Sequence, residues 1–126
     1  MKLAKLAREK SYCPYSNIAV GAALLTRSGK AFVGTNIENA AFSPTVCAER
    51  VAFFKAISEG ERDFVAIAVV GGKAGEETSE RFSPCGVCRQ VMAEFCSTDF
   101  EIITESADNA TLIELLPHAF GKEALK

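Results

Sequence analysis

The chain has 126 residues, 48% hydrophobic and 24% charged, with a formal net charge of -2 and a pI near 5.5. This composition favours a single globular domain over residues 1–126, large enough to bury a core without disulfide bonds. No apolar run approaches the roughly 18 residues that span a bilayer, the N-terminus does not read as a signal peptide, and the 14 Lys and Arg form no basic cluster. We therefore expect a cytoplasmic protein with no membrane and no nucleic-acid partner, acting on a small molecule.

The first part of the chain predicts a surface helix and then a β-hairpin. Apolar residues at helical spacing between charges predict a helix over residues 2–11, which ends before Pro14. Apolar segments at residues 18–26 and 31–37 flank a Ser-Gly turn, and this pattern is typical of two paired strands. Residues 36–39 close the second strand with three polar side chains, which without other information indicate a solvated loop.

Two further helices are predicted to begin at Ser-Pro pairs. A capping hydroxyl followed by proline, whose missing N–H costs nothing in a first helical turn, predicts helix starts at Ser43 and Ser83. The first of these helices should end near residue 58. Its apolar residues surround most of its circumference, which indicates burial on two sides, against a sheet and against a partner subunit.

The remaining segments complete an alternating pattern. Residues 64–70 are a continuous apolar run rich in β-branched side chains, which suits a central strand covered on both faces. A polar loop is expected at 71–80, a strand at 100–105 and a short helix at 112–116, followed by a C-terminal tail. The order α-β-β-α-β-α-β-α predicts an α/β fold, a three-layer α/β/α sandwich with a mixed sheet of about five strands.

Three of the five cysteines can converge on one metal ion. Cys85 and Cys88 lie three residues apart at a predicted helix start, where free N–H groups and the helix dipole favour thiolates. Cys47 lies at the other helix start, and an α/β sheet can bring two such starts to one edge. Neither Cys13 nor Cys96 is well placed as a fourth ligand. Three ligands leave one tetrahedral position open, which is the arrangement of a catalytic zinc site.

Charged residues next to the cysteines complete the predicted site. Glu49 lies two residues beyond Cys47, an offset that on a helix points away from the cysteine, so we expect it to transfer protons and not to bind the metal. Three thiolates around Zn²⁺ carry one net negative charge. Arg50 and Arg89 can offset this charge by donating to the sulfurs; the alternative is that each is a helix-surface arginine.

Motifs along nearly the whole chain resemble the cytidine deaminase family. They are Pro14-Tyr15-Ser16, Val20-Gly21-Ala22-Ala23-Leu24, Asn36-Ile37-Glu38-Asn39-Ala40, Cys47-Ala48-Glu49-Arg50, Ser83-Pro84-Cys85-Gly86, Cys88-Arg89-Gln90 and Glu114-Leu115-Leu116-Pro117. Zinc deaminases share the glutamate and the Pro-Cys-x-x-Cys signature. The first ligand is a cysteine and not a histidine, and in this feature the chain resembles the homotetrameric branch of the family that acts on free nucleosides.

The resemblance implies hydrolytic deamination of cytidine and deoxycytidine in pyrimidine salvage, with zinc as cofactor and active sites shared between the subunits of a homotetramer. It assigns zinc to Cys47, Cys85 and Cys88, and the proton shuttle to Glu49. The implied substrate contacts are Asn36 and Glu38 to the ribose 3′-hydroxyl, the backbones of Ala48 and Ser83 to the base, Ile18 to the pyrimidine ring, and Ala40 and Phe120 to a neighbouring subunit's site.

Two positions depart from the family pattern and leave alternatives open. Ile18 stands where similar members commonly carry phenylalanine, so it can pack on a pyrimidine without stacking. Phe42 stands where many carry tyrosine, and it cannot donate to a 5′-hydroxyl. One alternative is therefore a deaminase of a cytosine-containing antibiotic or modified nucleoside. Others are a structural zinc or redox module, which leaves Glu49 unexplained, and an inactive scaffold, which the intact glutamate and cysteines disfavour.

Overall fold

Helices and strands alternate along the chain in a computed structural model that describes residues 1–80, 82–106 and 108–125. The elements in chain order are α1 (Lys2–Arg8), β1 (Ile18–Thr26), β2 (Ala31–Thr35), α2 (Ala48–Ser58), β3 (Phe64–Lys73), α3 (Gly86–Phe95), β4 (Glu101–Ile103), β5 (Ala110–Thr111), α4 (Leu112–Leu115) and a 3₁₀ turn (Lys122–Leu125). Among the residues described, no helix has both the length and the apolar character needed to cross a membrane.

The five strands form one mixed sheet in the order β2-β1-β3-β4-β5. β1 pairs antiparallel with both β2 and β3, β3 pairs parallel with β4, and β4 pairs antiparallel with β5. The predicted mixed sheet is therefore confirmed. Sequence periodicity did not locate β5, because a strand of two residues contains no repeat.

Helices cover both faces of the sheet, which confirms the three-layer sandwich. On one face, apolar side chains of β1, β3 and β4 pack with Phe53 of α2 and Met92 of α3 in the larger core cluster. On the other face, Ala68 and Val70 of β3 pack with Ala4 of α1. Gly34 of β2 allows α2 to approach closely, since a Cβ there would lie 2.2 Å from the carbonyl oxygen of Ala48.

Both helices that carry cysteines begin later than their Ser-Pro pairs predict. α2 begins at Ala48 and α3 at Gly86, so the extended residues Cys47 and Cys85 are the N-caps and Pro44 lies in a turn. The predicted N-caps at Ser43 and Ser83 are therefore wrong by four and two residues. The cysteines stand at the helix entrances, and Cys88 alone lies in a first turn.

A small three-stranded contact explains why α2 starts late. Ile37 and Val46 exchange two backbone hydrogen bonds, each of 3.0 Å, which keeps the chain extended up to the N-cap cysteine of α2. On the other side, the amide of Tyr12 donates to the carbonyl of Asn36 at 3.1 Å, and the amide of Glu38 donates to the carbonyl of Tyr12 at 2.9 Å. This tertiary pairing overrides the local helix-start signal, and it places the polar residues after β2 beside the entrance to α2.

The other boundaries move by a few residues. β3 continues to Lys73 because its end pairs with Ile18 at the start of β1, so the predicted loop at 71–80 begins late. α1 ends at Arg8 and β2 at Thr35, both earlier than predicted.

Candidate active site

Three cysteine sulfurs meet where α2 and α3 begin. The Sγ atom of Cys47 lies 3.6 Å from Sγ of Cys85, which lies 3.5 Å from Sγ of Cys88. Two sulfurs bound tetrahedrally to one zinc ion, each at 2.3 Å, would be about 3.8 Å apart, so these separations fit a shared ion. Within the described residues, this is the only group of three or more metal-ligating side chains close enough to hold a metal ion.

The pKa values of Cys47 and Cys88 are shifted in opposite directions. A hydrogen bond from Cys88, with further help from Arg50 and Cys85, lowers the pKa of Cys47 to about 5 although burial opposes the shift. The same contact with Cys47, together with burial, raises the pKa of Cys88. Thiolates are the ligand form of cysteine, so a cation bound here would replace the protons that the sulfurs share.

The other two cysteines lie outside this cluster, as the sequence predicts. Cys96 caps α3 at its C-terminal end and packs against the core, and burial raises the pKa of its thiol to about 12. Cys13 is half-buried in the segment before β1. The three-ligand count of the cluster therefore holds in the structure.

Glu49 is a buried carboxylate in the first turn of α2, with only 3% of its surface exposed. Its Oε1 atom has no hydrogen-bond partner among the residues that the structure describes. Burial raises the pKa of Glu49 to about 7, and the charge of Cys47 adds to the shift. Leaving a buried polar atom unpaired costs about 1–3 kcal/mol. A carboxylate that acts on a bound molecule would account for this cost. A pKa near neutrality suits a group that both accepts and donates protons.

The two arginines behave differently from each other. Nη2 of Arg50 donates to Sγ of Cys47 at 3.4 Å, so the predicted contact with a sulfur is present. Arg89 instead gives Nε to the carbonyl of Pro84 at 2.9 Å, Nη1 to the carbonyl of Leu115 at 2.7 Å and Nη2 to Oγ of Ser83 at 3.0 Å. The prediction that Arg89 donates to a sulfur is wrong, because these three oxygens take its nitrogens. Arg89 ties the segment before α3 to α4.

Asn36 is buried and hydrogen-bonded through both Oδ1 and Nδ2, so it does not belong to a solvated loop. Its Oδ1 atom accepts from the amide of Val20 at 2.8 Å and from Oγ of Ser11 at 2.5 Å. Its Nδ2 atom donates to the carbonyl of Ile18 at 2.8 Å. The side-chain amide therefore fixes the start of β1 against the end of β2.

Glu38 is held by three donors at the mouth of a cleft. Its Oε1 atom accepts from the amides of Tyr15 at 2.9 Å and Ser16 at 3.1 Å, and its Oε2 atom accepts from Oγ of Ser16 at 2.5 Å. The Ser16 hydroxyl and these amides hold the pKa of Glu38 below its usual value. The cleft has a volume of about 320 Å³ and is lined by Tyr15, Ser16, Glu38, Asn39, Phe42 and Thr45.

The remaining predicted residues fall into two sets. Ala48 is the buried first residue of α2 directly after Cys47, Ser83 precedes Pro84 and Cys85, and Ile18 packs half-buried against the larger core. Ala40 and Phe120 are exposed, as is Phe42. The backbone carbonyl of Phe120 accepts from Nε2 of Gln90 at 2.9 Å, which holds the C-terminal segment against α3.

Sequence reasoning missed the residues that orient this site. Ser11 and Ser16 each donate to a predicted substrate-binding side chain, and Gln90 anchors the C-terminal segment. Ser16 and Gln90 both occur in motifs that carry the family resemblance, which was the available signal. Their hydrogen bonds join residues 22 to 30 positions apart, and no periodicity reveals such contacts.

A three-layer sandwich with converging thiols and a buried carboxylate at two helix entrances defines an α/β protein built around a metal site. The cytidine and deoxycytidylate deaminase zinc-binding region matches residues 1–104. The chain belongs to this family.

Individual proteins with similar sequences and structures span nearly the whole chain. A cytidine deaminase of Sporosarcina psychrophila is 50% identical over 125 residues, covering 96% of this chain and 88% of the relative. The crystal structure of cytidine deaminase from Burkholderia pseudomallei superposes with a TM-score of 0.83 at 47% identity and covers 94% of each chain. A blasticidin-S deaminase of Bacillus cereus is 32% identical over 124 residues, covering 93% of this chain and 89% of that protein.

Proposed function

We propose that the protein, acting as one domain over residues 1–126, hydrolytically deaminates cytidine and deoxycytidine to uridine and deoxyuridine with release of ammonia. The observation that carries the proposal is the buried carboxylate of Glu49, whose Oε1 atom has no hydrogen-bond partner among the described residues, beside three sulfurs that fit one metal ion. The similarity to named cytidine deaminases over nearly the whole chain supports the choice of substrate.

Cys47, Cys85 and Cys88 would hold a zinc ion. Their separations, and the low pKa of the Cys47 thiol, suit a cation that binds thiolates. When bound, zinc is a Lewis acid that lowers the pKa of water towards neutrality. Arg50 draws negative charge from the sulfur of Cys47 and so preserves that effect.

Glu49 is proposed to carry the protons of the reaction. It accepts a proton from water as the water oxygen bonds to C4 of the pyrimidine, and it delivers that proton to N3. Glu49 then accepts the remaining proton from the C4 hydroxyl and passes it to the amino group. As the C4–oxygen double bond forms, the bond between C4 and the amino nitrogen breaks and ammonia leaves. Because burial places its pKa at about 7, Glu49 can both accept and release protons at neutral pH.

The substrate would lie between the cysteines and the segment after β2. Asn36 and Glu38 are proposed to bind the ribose 3′-hydroxyl, the backbones of Ala48 and Ser83 to bind the base edge, and Ile18 to pack on the ring. Antiparallel pairing of Ile37 with Val46 supports this placement, because it brings the polar segment beside the entrance to α2.

The active form is proposed to be a cytoplasmic homotetramer that shares active sites between subunits and serves pyrimidine salvage. Phe42 and Phe120 are 77% and 62% exposed, and Phe54 of α2 is 49% exposed, so the chain presents aromatic surface that a second copy could bury. Ala40 and Phe120 would then reach a neighbouring site. Analytical ultracentrifugation should give a single species of four chains, and a monomer would contradict this assembly.

A second candidate is deamination of a cytosine-containing antibiotic. The similarity to blasticidin-S deaminase and the isoleucine at position 18 favour it. Turnover of cytidine, deoxycytidine and blasticidin S, each followed by ultraviolet absorbance and ammonia release, tests both candidates. We expect cytidine and deoxycytidine to be the better substrates, and loss of their turnover when a chelator removes zinc. Efficient turnover of blasticidin S alone would favour the second candidate.

A further inference from the structure

Ser16 makes a hydrogen-bond relay at the mouth of the cleft. Its Oγ atom accepts from the amide of Ile18 at 3.0 Å and lies 2.5 Å from Oε2 of Glu38. A hydroxyl has one hydrogen, and an ionised carboxylate can only accept. The amide of Ile18 therefore occupies a lone pair of Ser16, and the hydroxyl hydrogen points to Glu38.

The carboxylate of Glu38 has one acceptor position left. An ionised carboxylate offers about four lone-pair sites. The amides of Tyr15 and Ser16 take two on Oε1, and the hydroxyl of Ser16 takes one on Oε2. One further donor can bind, and the low pKa of Glu38 keeps the group an acceptor at neutral pH.

Glu38 lines a cleft in which a ligand could reach this acceptor position. The six described residues that line the cleft include one charged side chain, that of Glu38, together with the aromatic rings of Tyr15 and Phe42. An exposed glutamate in water samples many rotamers, and ordering it on binding costs free energy. The three protein donors have already fixed this one, so a hydroxyl of the ligand meets an oriented acceptor.

We propose that Ser16 is a positioning residue that fixes Glu38 as the acceptor for one sugar hydroxyl of the substrate. The inference rests on the proposed function, in which that hydroxyl is the ribose 3′-hydroxyl. Ser16 acts through Glu38, since its own hydrogen is donated to Oε2 and it has no second one for the ligand.

The test removes the relay and the substrate hydroxyl separately and together. KM and kcat are measured for wild type and Ser16→Ala on cytidine and on 3′-deoxycytidine. We expect Ser16→Ala to raise KM for cytidine by about tenfold, with little change in kcat, since a hydrogen bond to a charged group is lost. On 3′-deoxycytidine the two proteins should have the same KM. Ser16→Thr, which keeps the hydroxyl, should restore the wild-type KM for cytidine.

A matched serine distinguishes positioning from general loss of structure. Oγ of Ser58 donates to the carbonyl of Lys55 at the exposed end of α2. Ser58→Ala should leave KM unchanged on both substrates, and thermal unfolding is recorded for every variant. If Ser16→Ala fails to fold, Ser16→Cys keeps the size with a weaker donor and should give an intermediate KM on cytidine alone.

Equal rises in KM on the two substrates, or no change on either, would overturn the inference and leave the proposed function intact. A wild-type protein that deaminates neither nucleoside would instead overturn the proposed function.

Discussion

Around Asn36 and Glu38, every polar atom of the two side chains has a partner, whereas next to the cysteines two buried atoms have none. The unpaired atoms are Oε1 of Glu49 and Nε of Arg50, counted among the described residues. In the first region, folding accounts for the hydrogen bonds of Asn36, because they join β1, the end of β2 and the segment before β1. Folding does not account for the second, where polar groups are buried at a cost.

The difference separates residues that hold the site from residues that react. Changes in the paired region should cost stability or substrate affinity. Changes in the unpaired region should cost metal binding or turnover, and those that leave metal binding intact should change stability little, because few native hydrogen bonds are lost there.

The largest effect is expected from removing a ligand. Cys88→Ala should abolish stoichiometric zinc binding and reduce turnover to background, because two thiolates do not complete a catalytic zinc site. Zinc content by elemental analysis and the rate of ammonia release measure both quantities. Cys96→Ala is the matched control, since Cys96 packs against the same core cluster as Cys88 but lies outside the three-sulfur group. An active, zinc-loaded Cys88→Ala variant would contradict the assignment.

A smaller effect is expected at Arg50. Arg50→Gln removes the donor to the sulfur of Cys47, and we expect zinc affinity or turnover to fall by about 10- to 100-fold. Competition with a chromogenic chelator measures the affinity. Arg27→Gln, which breaks an exposed ion pair with Asp63, should change neither quantity. Unchanged affinity and turnover in Arg50→Gln would show that the contact with sulfur is incidental.

The paired region should respond in stability. Asn36→Ala leaves the amide of Val20, the carbonyl of Ile18 and the hydroxyl of Ser11 without their partner. We expect the free energy of unfolding to fall by about 1–3 kcal/mol, as measured by urea denaturation of the zinc-loaded protein. Glu49→Gln in the same experiment should unfold with the wild-type midpoint or later. An Asn36→Ala variant as stable as the wild type would contradict the distinction between the two regions.

The smallest effect concerns the capping box of α4, remote from the cysteines in sequence. Hydrogen bonds from the hydroxyl and amide of Thr111 lower the pKa of Glu114 from its usual 4.5. A lowered folded-state pKa adds stability above the unfolded pKa, and that stability is lost as pH falls through the folded value. Glu114→Gln should therefore melt slightly earlier than wild type at neutral pH, and the gap should close in acid. A gap that widens in acid would contradict this sign.

The sequence predicted the chemistry of the site better than its local backbone. The Cys-x-x-Cys spacing and a third cysteine near a helix start sufficed to predict a three-thiol cluster, because an α/β sheet can bring two helix starts to one edge. The helix starts were wrong because the Ser-Pro pair is a local signal, and pairing between Ile37 and Val46 overrides it. The mixed sheet of about five strands followed from the alternation of elements, apart from the short β5, whereas the order of the strands was not predicted.

Long-range polar contacts could not be predicted. Arg89 lies next to a metal-ligand candidate, yet its nitrogens go to oxygens of the segment before α3 and of α4. Ser16 and Glu38 are 22 residues apart and meet because Tyr12 pairs with the segment after β2. Both contacts depend on the folded geometry, which spacing along the chain does not encode.

Turnover of cytidine by Glu49→Gln and wild type, measured on samples of equal zinc content, tests most directly whether the thiol and carboxylate centre is catalytic. We expect the variant to fold, to bind zinc as the wild type does, and to release ammonia about 10² to 10⁴ times more slowly, because positioned proton transfer is lost. Ammonia release by Glu49→Gln at the wild-type rate would contradict this expectation.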